Sequence, residues 1–158
     1  MGNRAHVIFA SDHRISPAVY LHWNGGPESV YAFLDELRTR GVREDTDYAM
    51  ARFTQIVGEF FGATGSGAGL SLGILNGPAN LEPESLDLYD HGDNGVYVAQ
   101  GNVVFRYVRK CYAEKARFLT PTEVATEREF AESDGTYASI ATFFKRYRAM
   151  RDFMNEVE

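Results

Sequence analysis

The sequence predicts an α+β domain: an antiparallel sheet of about five strands, helices packed on one face, and a helical C-terminal extension. Three observations predict it. Several short segments alternate apolar and polar residues with a period of two, and four longer ones repeat their apolar residues every three to four. The strand-like segments include pairs joined by tight turns, which favours antiparallel neighbours. At 158 residues and 44% hydrophobic content, the chain can bury one core.

Residues 4–10, RAHVIFA, form the first expected strand. The turn SDHRI leads to a second, residues 16–23, SPAVYLHW, with Val19, Leu21 and Trp23 on one face and Ala18, Tyr20 and His22 on the other. Pro27 stands where a first helical residue belongs, and Val30, Phe33, Leu34 and Leu37 follow at helical spacing, so residues 27–40 form an amphipathic helix closed by Gly41. Asp45 or Thr46 caps a second helix, about 46–61, carrying Ala49, Met50, Phe53, Ile56, Val57 and Phe60, with Gly62 as its terminator. GATGSGAG is a flexible connection, and LSLGIL, residues 70–75, a short strand.

Residues 76–95 are long, polar and punctuated by Pro and Gly, a length that loops reach mainly when functional or mobile. GVYVA and NVVFRYVRK follow as strands around the tight turn QGN. Thr120-Pro121-Thr122-Glu123 is a capping box with Pro at the first helical position, opening a helix to about Ala131. A final helix, 136–156, carries Ile140, Phe143, Phe144, Tyr147, Met150 and Met154 on one stripe. The expected division is a core of residues 1–108 and a helical extension of residues 109–158 packed on it.

The net charge of -6 argues against nonspecific nucleic-acid binding through a broadly basic surface. The charge is uneven: residues 1–102 hold 6 Lys+Arg against 13 Asp+Glu, and residues 103–158 hold 10 against 9. Cys111 is the one cysteine, which rules out an intramolecular disulfide and a cysteine-based zinc site. No apolar run is long enough to span a membrane, and no secretory leader is recognisable, so the expected compartment is the cytoplasm.

The segment HWNGGPES is the densest in possible chemistry. Asn24, Gly25 and Gly26 adopt positive φ at low cost, and backbone N–H groups ahead of a helix can form an anion-binding concavity. His22 would add a proton relay, and Trp23 a stacking surface. The alternative is a structural corner: the strand ends, Asn-Gly-Gly reverses the chain, Pro27 starts the helix, and Trp23 anchors it.

The segment YDHGDNGVY offers Asp90, His91, Asp93 and Asn94, either as hard-cation ligands or as a turn into a strand; with His22, His91 would make half of a transition-metal site. It lacks the ligand ladder of a calcium loop. GSGAG follows a helix and precedes a strand, the reverse of a dinucleotide-binding loop. No Gly-x-Ser-x-Gly elbow is present, and Cys111 has basic neighbours but no local His or Asp framework. The basic residues Arg106, Arg109, Lys110, Lys115, Arg117, Lys145, Arg146, Arg148 and Arg151 read as a solvated face, diluted by interleaved carboxylates.

With MGNRA at the start, YLHWNGG at 20–26 and DNGVY at 93–97, the chain resembles a widespread family of small proteins carried by bacterial phages, plasmids and other mobile elements. The resemblance covers about residues 1–108 and carries over no catalytic residue. It implies a non-enzymatic protein that inhibits a host defence system, of the CRISPR or restriction type, by occupying a nucleoprotein complex.

The expected partner is therefore a host protein or nucleoprotein complex, met through acidic loop residues such as Glu82, Glu84 and Asp87, with no direct nucleic-acid contact, no membrane and no cofactor. The alternative is a small-molecule or nucleotide binder, or an enzyme, that joins His22, Trp23, Asn24, Gly25 and Gly26 to Asp93 and Asn94. The expected state is a monomer, or a homodimer associating through the aromatic C-terminal helix.

Overall fold

The computed structural model describes residues 2–43, 45–64 and 71–157. The glycine-rich GSGAG motif lies outside the described residues. The α+β class holds, but the sheet is mixed rather than antiparallel and has six strands. These are β1 (Ala5–Phe9), β2 (Ala18–Leu21), β3 (Leu72–Leu75), β4 (Val96–Gln100), β5 (Val103–Val108) and β6 (Arg117–Phe118), in spatial order β3-β2-β1-β4-β5-β6.

Two antiparallel halves, β3-β2-β1 and β4-β5-β6, meet along β1 and β4, which run parallel with His6 opposite Val96 and Phe9 opposite Ala99. The parallel pair arises because the chain leaves the sheet at the β3 edge and re-enters in the middle, at β4. β6 is two residues long, too short to show a period in the sequence.

Alternation along the strands assigns the two faces. Ala5, Val7 and Phe9, with Val19 and Leu21, and Tyr97 and Ala99, point to one side. Four helices cover that side: α1 (Pro27–Thr39), α2 (Thr46–Thr64), α4 (Pro121–Ser133) and α5 (Gly135–Val157). The remaining helix, α3 (Pro83–Leu86), with the 3-10 turn Asp87–Tyr89, lies on the opposite side.

α1 starts at Pro27 as expected, yet more than an amphipathic stripe is buried: Ser29, Tyr31, Ala32 and Glu36 join Val30, Phe33, Leu34 and Leu37. The reason is the C-terminal segment, which lays α4 and α5 over the face of α1 that turns away from the sheet. Ala131, Ile140 and Phe144 belong to the same apolar cluster as β1. Phe33 is ringed by Phe53, Phe60, Phe61 and Phe144 at centroid distances of 5.5–6.5 Å, mostly edge to face.

α2 is capped by Asp45, which accepts from the Tyr48 N–H at 3.0 Å, and it runs past Gly62 to Thr64. An interior glycine costs a helix only about 1 kcal/mol, which the burial of Phe61 offsets. The capping box at α4 is complete: Glu123 N–H donates to Thr120 Oγ1, and Thr120 N–H donates to Glu123 Oε1 at 3.0 Å.

Arg106, which the sequence places among solvated basic residues, is 1% exposed. It lies on the helix side of β5, where its guanidinium sits 3.7 Å over the Tyr97 ring and donates to the Asn94 and Val96 carbonyls and to Glu127 at 2.7 Å. Tyr31 donates to the same carboxylate. A charge this deep is tolerable only with such a full set of partners.

Candidate functional site

The other face of the sheet presents His6 and Ile8 from β1 with Ala10 just after it, Ala18 and Tyr20 from β2, Val96 and Val98 from β4, and Tyr107 from β5. A lid, residues 76–94, lies across it. Leu86 is fully buried against Ile8, Val98 and their neighbours, and Leu81 and Tyr89 pack beside it. The long segment is therefore anchored.

Its carboxylates fall into two groups. Three are tied to the fold. Asp87 accepts from the Tyr107 hydroxyl at 2.5 Å, Asp90 pairs with Arg109 at 3.1 Å, and Asp93 pairs with Arg4 at 2.7 Å. The hydrogen bond from Arg4 holds Asp93 below its ordinary carboxylate range. Two acids, Glu82 and Glu84, are exposed, and neither side chain has an ion pair or hydrogen bond among the described residues. Leu88, four residues after Glu84 in the chain, is 81% exposed. The lid thus fixes itself with one set of acids and presents the other. Of the lid acids expected at a binding surface, Glu82 and Glu84 are presented, whereas Asp87 and Asp93 have internal partners.

The HWNGG and DNG motifs converge as the sequence allows, and the opening residues join them. Asn3 N–H donates to the His22 carbonyl at 2.9 Å, Gly25 N–H donates to the Asn3 carbonyl at 2.8 Å, and Asn94 Nδ2 donates to Asn3 Oδ1. Asn24 takes a positive φ of 58°, and its amide donates to Ser29 Oγ. A Cβ on Gly25 would lie 2.6 Å from the Asn3 carbonyl, so only glycine fits that approach. Tyr97 Oη closes the corner by donating to the Gly25 carbonyl.

At Gly26, where the sequence suggests an anion concavity, the Glu28 carboxylate folds back over the turn: a Cβ on Gly26 would fall 2.4 Å from Glu28 Oε1. Trp23 does not anchor the corner, being 43% exposed and edge-on to His22. The strand stops at Leu21, so the alternation that would have turned Trp23 inward stops with it.

Beneath the corner lies a cluster of aromatic and imidazole rings. His6, on the lid face of β1, has its ring centroid 5.0 Å from His91, 5.1 Å from Tyr89 and 5.3 Å from Tyr20. The Tyr20 hydroxyl and His22 Nδ1 share a hydrogen bond of 2.8 Å. His6 Nδ1 lies 2.9 Å from the Tyr89 carbonyl, which can only accept, so Nδ1 carries the proton. Nε2 is then a buried lone pair with no partner among the described residues. Burial, reinforced by His91, holds the His6 imidazole down at about 4, a neutral ring at any physiological pH.

Sequence reasoning did not single out His6. Its signal was the position one step out of phase with Ala5 and Val7, opposite Tyr20. Among the described residues, no three His, Cys, Asp or Glu side chains converge on a metal position.

The molecule is thus an α+β protein with a mixed six-stranded sheet, four helices on one face and a clamped acidic lid on the other. No family model matches the chain, and neither does any curated protein or solved structure. Among the described residues, no helix is long and apolar enough to cross a membrane.

Proposed function

We propose that this chain is a non-enzymatic protein-binding module and that the lid is its docking surface. One observation carries the reading: three acids hold the lid in place, while Glu82 and Glu84 have no ion-pair partner among the described residues and Leu88 of the same lid is exposed. Exposed acids on an anchored segment favour a partner with a basic surface, since the fold already meets part of the ordering cost and opposite charges speed encounter. In its specific form, which rests on the motif resemblance, the partner is a host defence complex whose nucleic-acid-binding groove the chain occupies.

Affinity capture of the tagged chain from a host lysate, with mass spectrometry, tests this beside a charge-reversed variant, Glu82→Lys/Glu84→Lys. The expected result is stoichiometric recovery of one protein or nucleoprotein complex by the native chain. Recovery by the variant should drop at least several-fold and decline further with salt. Equal recovery by both chains contradicts the reading.

A further inference from the structure

On the helix side of the molecule, one cleft is lined mainly by cations. It lies between the end of α1, the start of α2 and the outer face of α5, and its volume is about 460 Å³. Arg40, Arg43, Arg52, Arg151, Tyr48 and Tyr147 line it, and among the described residues Glu59 is its one carboxylate. The volume is that of a small-molecule site, which typically spans 300–1,000 Å³.

The arginines differ in role. Arg40 is neutralised, with Nε 2.7 Å from Glu36 and one terminal nitrogen 2.8 Å from Glu59, and it forms the floor against Phe144 and Tyr147. Arg43 and Arg52 are exposed, and among the described residues neither meets a carboxylate. Both guanidiniums lie over one ring, that of Tyr48, at 5.9 Å and 5.0 Å. Arg52 is fixed further by donating to the Tyr48 hydroxyl at 2.9 Å and to Gln55 at 2.8 Å. The field they create acts on the tyrosine itself: the Arg52 hydrogen bond, then its charge, draws the Tyr48 phenol below its ordinary pKa. Arg151 closes the cleft from α5, 3.4 Å from its neighbour Asp152.

Two guanidiniums are held over one aromatic ring with no carboxylate partner among the described residues, which leaves their N–H groups open to an anion. Planar, oriented N–H forks are the groups that bind phosphate in two-point contacts, and neighbouring guanidiniums suit linked phosphates. We infer that the cleft is a binding site for a di- or triphosphate group, carried by a nucleotide or free, held by Arg43 and Arg52 with Arg151 at its mouth. The inference does not depend on the lid, which lies across the sheet from it.

The test is calorimetric titration of the full chain with ATP, inorganic triphosphate, sulfate and a short single-stranded oligonucleotide, repeated on Arg43→Ala/Arg52→Ala. Both arginines are exposed, and an unchanged melting temperature verifies the variant's fold. ATP or triphosphate should bind, sulfate should bind at least tenfold more weakly, and the variant should lose about tenfold or more. ATP well above triphosphate assigns a nucleotide, and equal affinities assign the free anion. No binding of either at millimolar concentration, or an undiminished affinity in the variant, overturns the inference. So does an oligonucleotide that binds a hundredfold more tightly, which would make the cleft a strand-contacting surface.

Discussion

The two faces of the sheet are built from alternate residues of the same strands, yet they are covered by different means. The helix face carries Val7, Phe9, Val19 and Tyr97 under four helices, a dense aromatic cluster and a fully partnered buried charge. The lid face carries His6, Ile8 and Tyr107 under an irregular segment that relies on Leu86 and three carboxylate anchors. Stability is concentrated where regular structure saturates its own backbone. On the lid face, exposed carboxylates are displayed where an irregular segment is fixed at a few points and left open elsewhere.

The largest expected effect breaks the helix face. Arg106→Ala leaves Glu127 without its cation and frees the Asn94 and Val96 carbonyls, so it should cost about 3–5 kcal/mol. Denaturant unfolding reads this, and a loss under 1 kcal/mol would mean that the pair is dispensable. The apolar double replacement Arg106→Met/Glu127→Leu should recover most of the loss, because the cost lies in an orphaned charge.

The next effect belongs to the lid face and is set by pH. His6 is held down at about 4 in the fold and titrates near 6.5 when unfolded, so below pH 6.5 the unfolded chain binds the extra proton. Stability therefore falls as pH drops from about 6.5 to about 4, by about 3 kcal/mol in total. His6→Phe should flatten that window relative to the native chain. Matching pH profiles for the two would show that His6 is already solvated. The smallest effect is at the α4 cap, where Thr120→Ala should cost about 1 kcal/mol by denaturant unfolding.

Much of this layout is legible in the sequence. Pro27 and the Thr120 capping box mark helix starts, and the four long helices and five of the six strands fall where apolar periodicity places them. The parallel β1/β4 pair is not legible, because period-two alternation gives a strand's faces but not its neighbours. Arg106 looks like one more surface cation because its partner Glu127 is 21 residues away. Its phase with Val104 along β5 was the available sign that it faces inward. The motif convergence at the corner was readable as a possibility, whereas the division of lid acids into anchors and presented groups was not. That division depends on Arg4, Tyr107 and Arg109, none of them local to the lid.

The most direct test of the central claim is the association rate of the purified chain with its captured partner, measured across ionic strength for the native protein and Glu82→Lys/Glu84→Lys. The account predicts a rate that falls steeply with salt in the native chain, a rate reduced about tenfold or more at low salt in the variant, and equal unfolding stabilities within about 0.5 kcal/mol. Equal association rates at low salt for the two chains would contradict it and remove the lid as the docking surface.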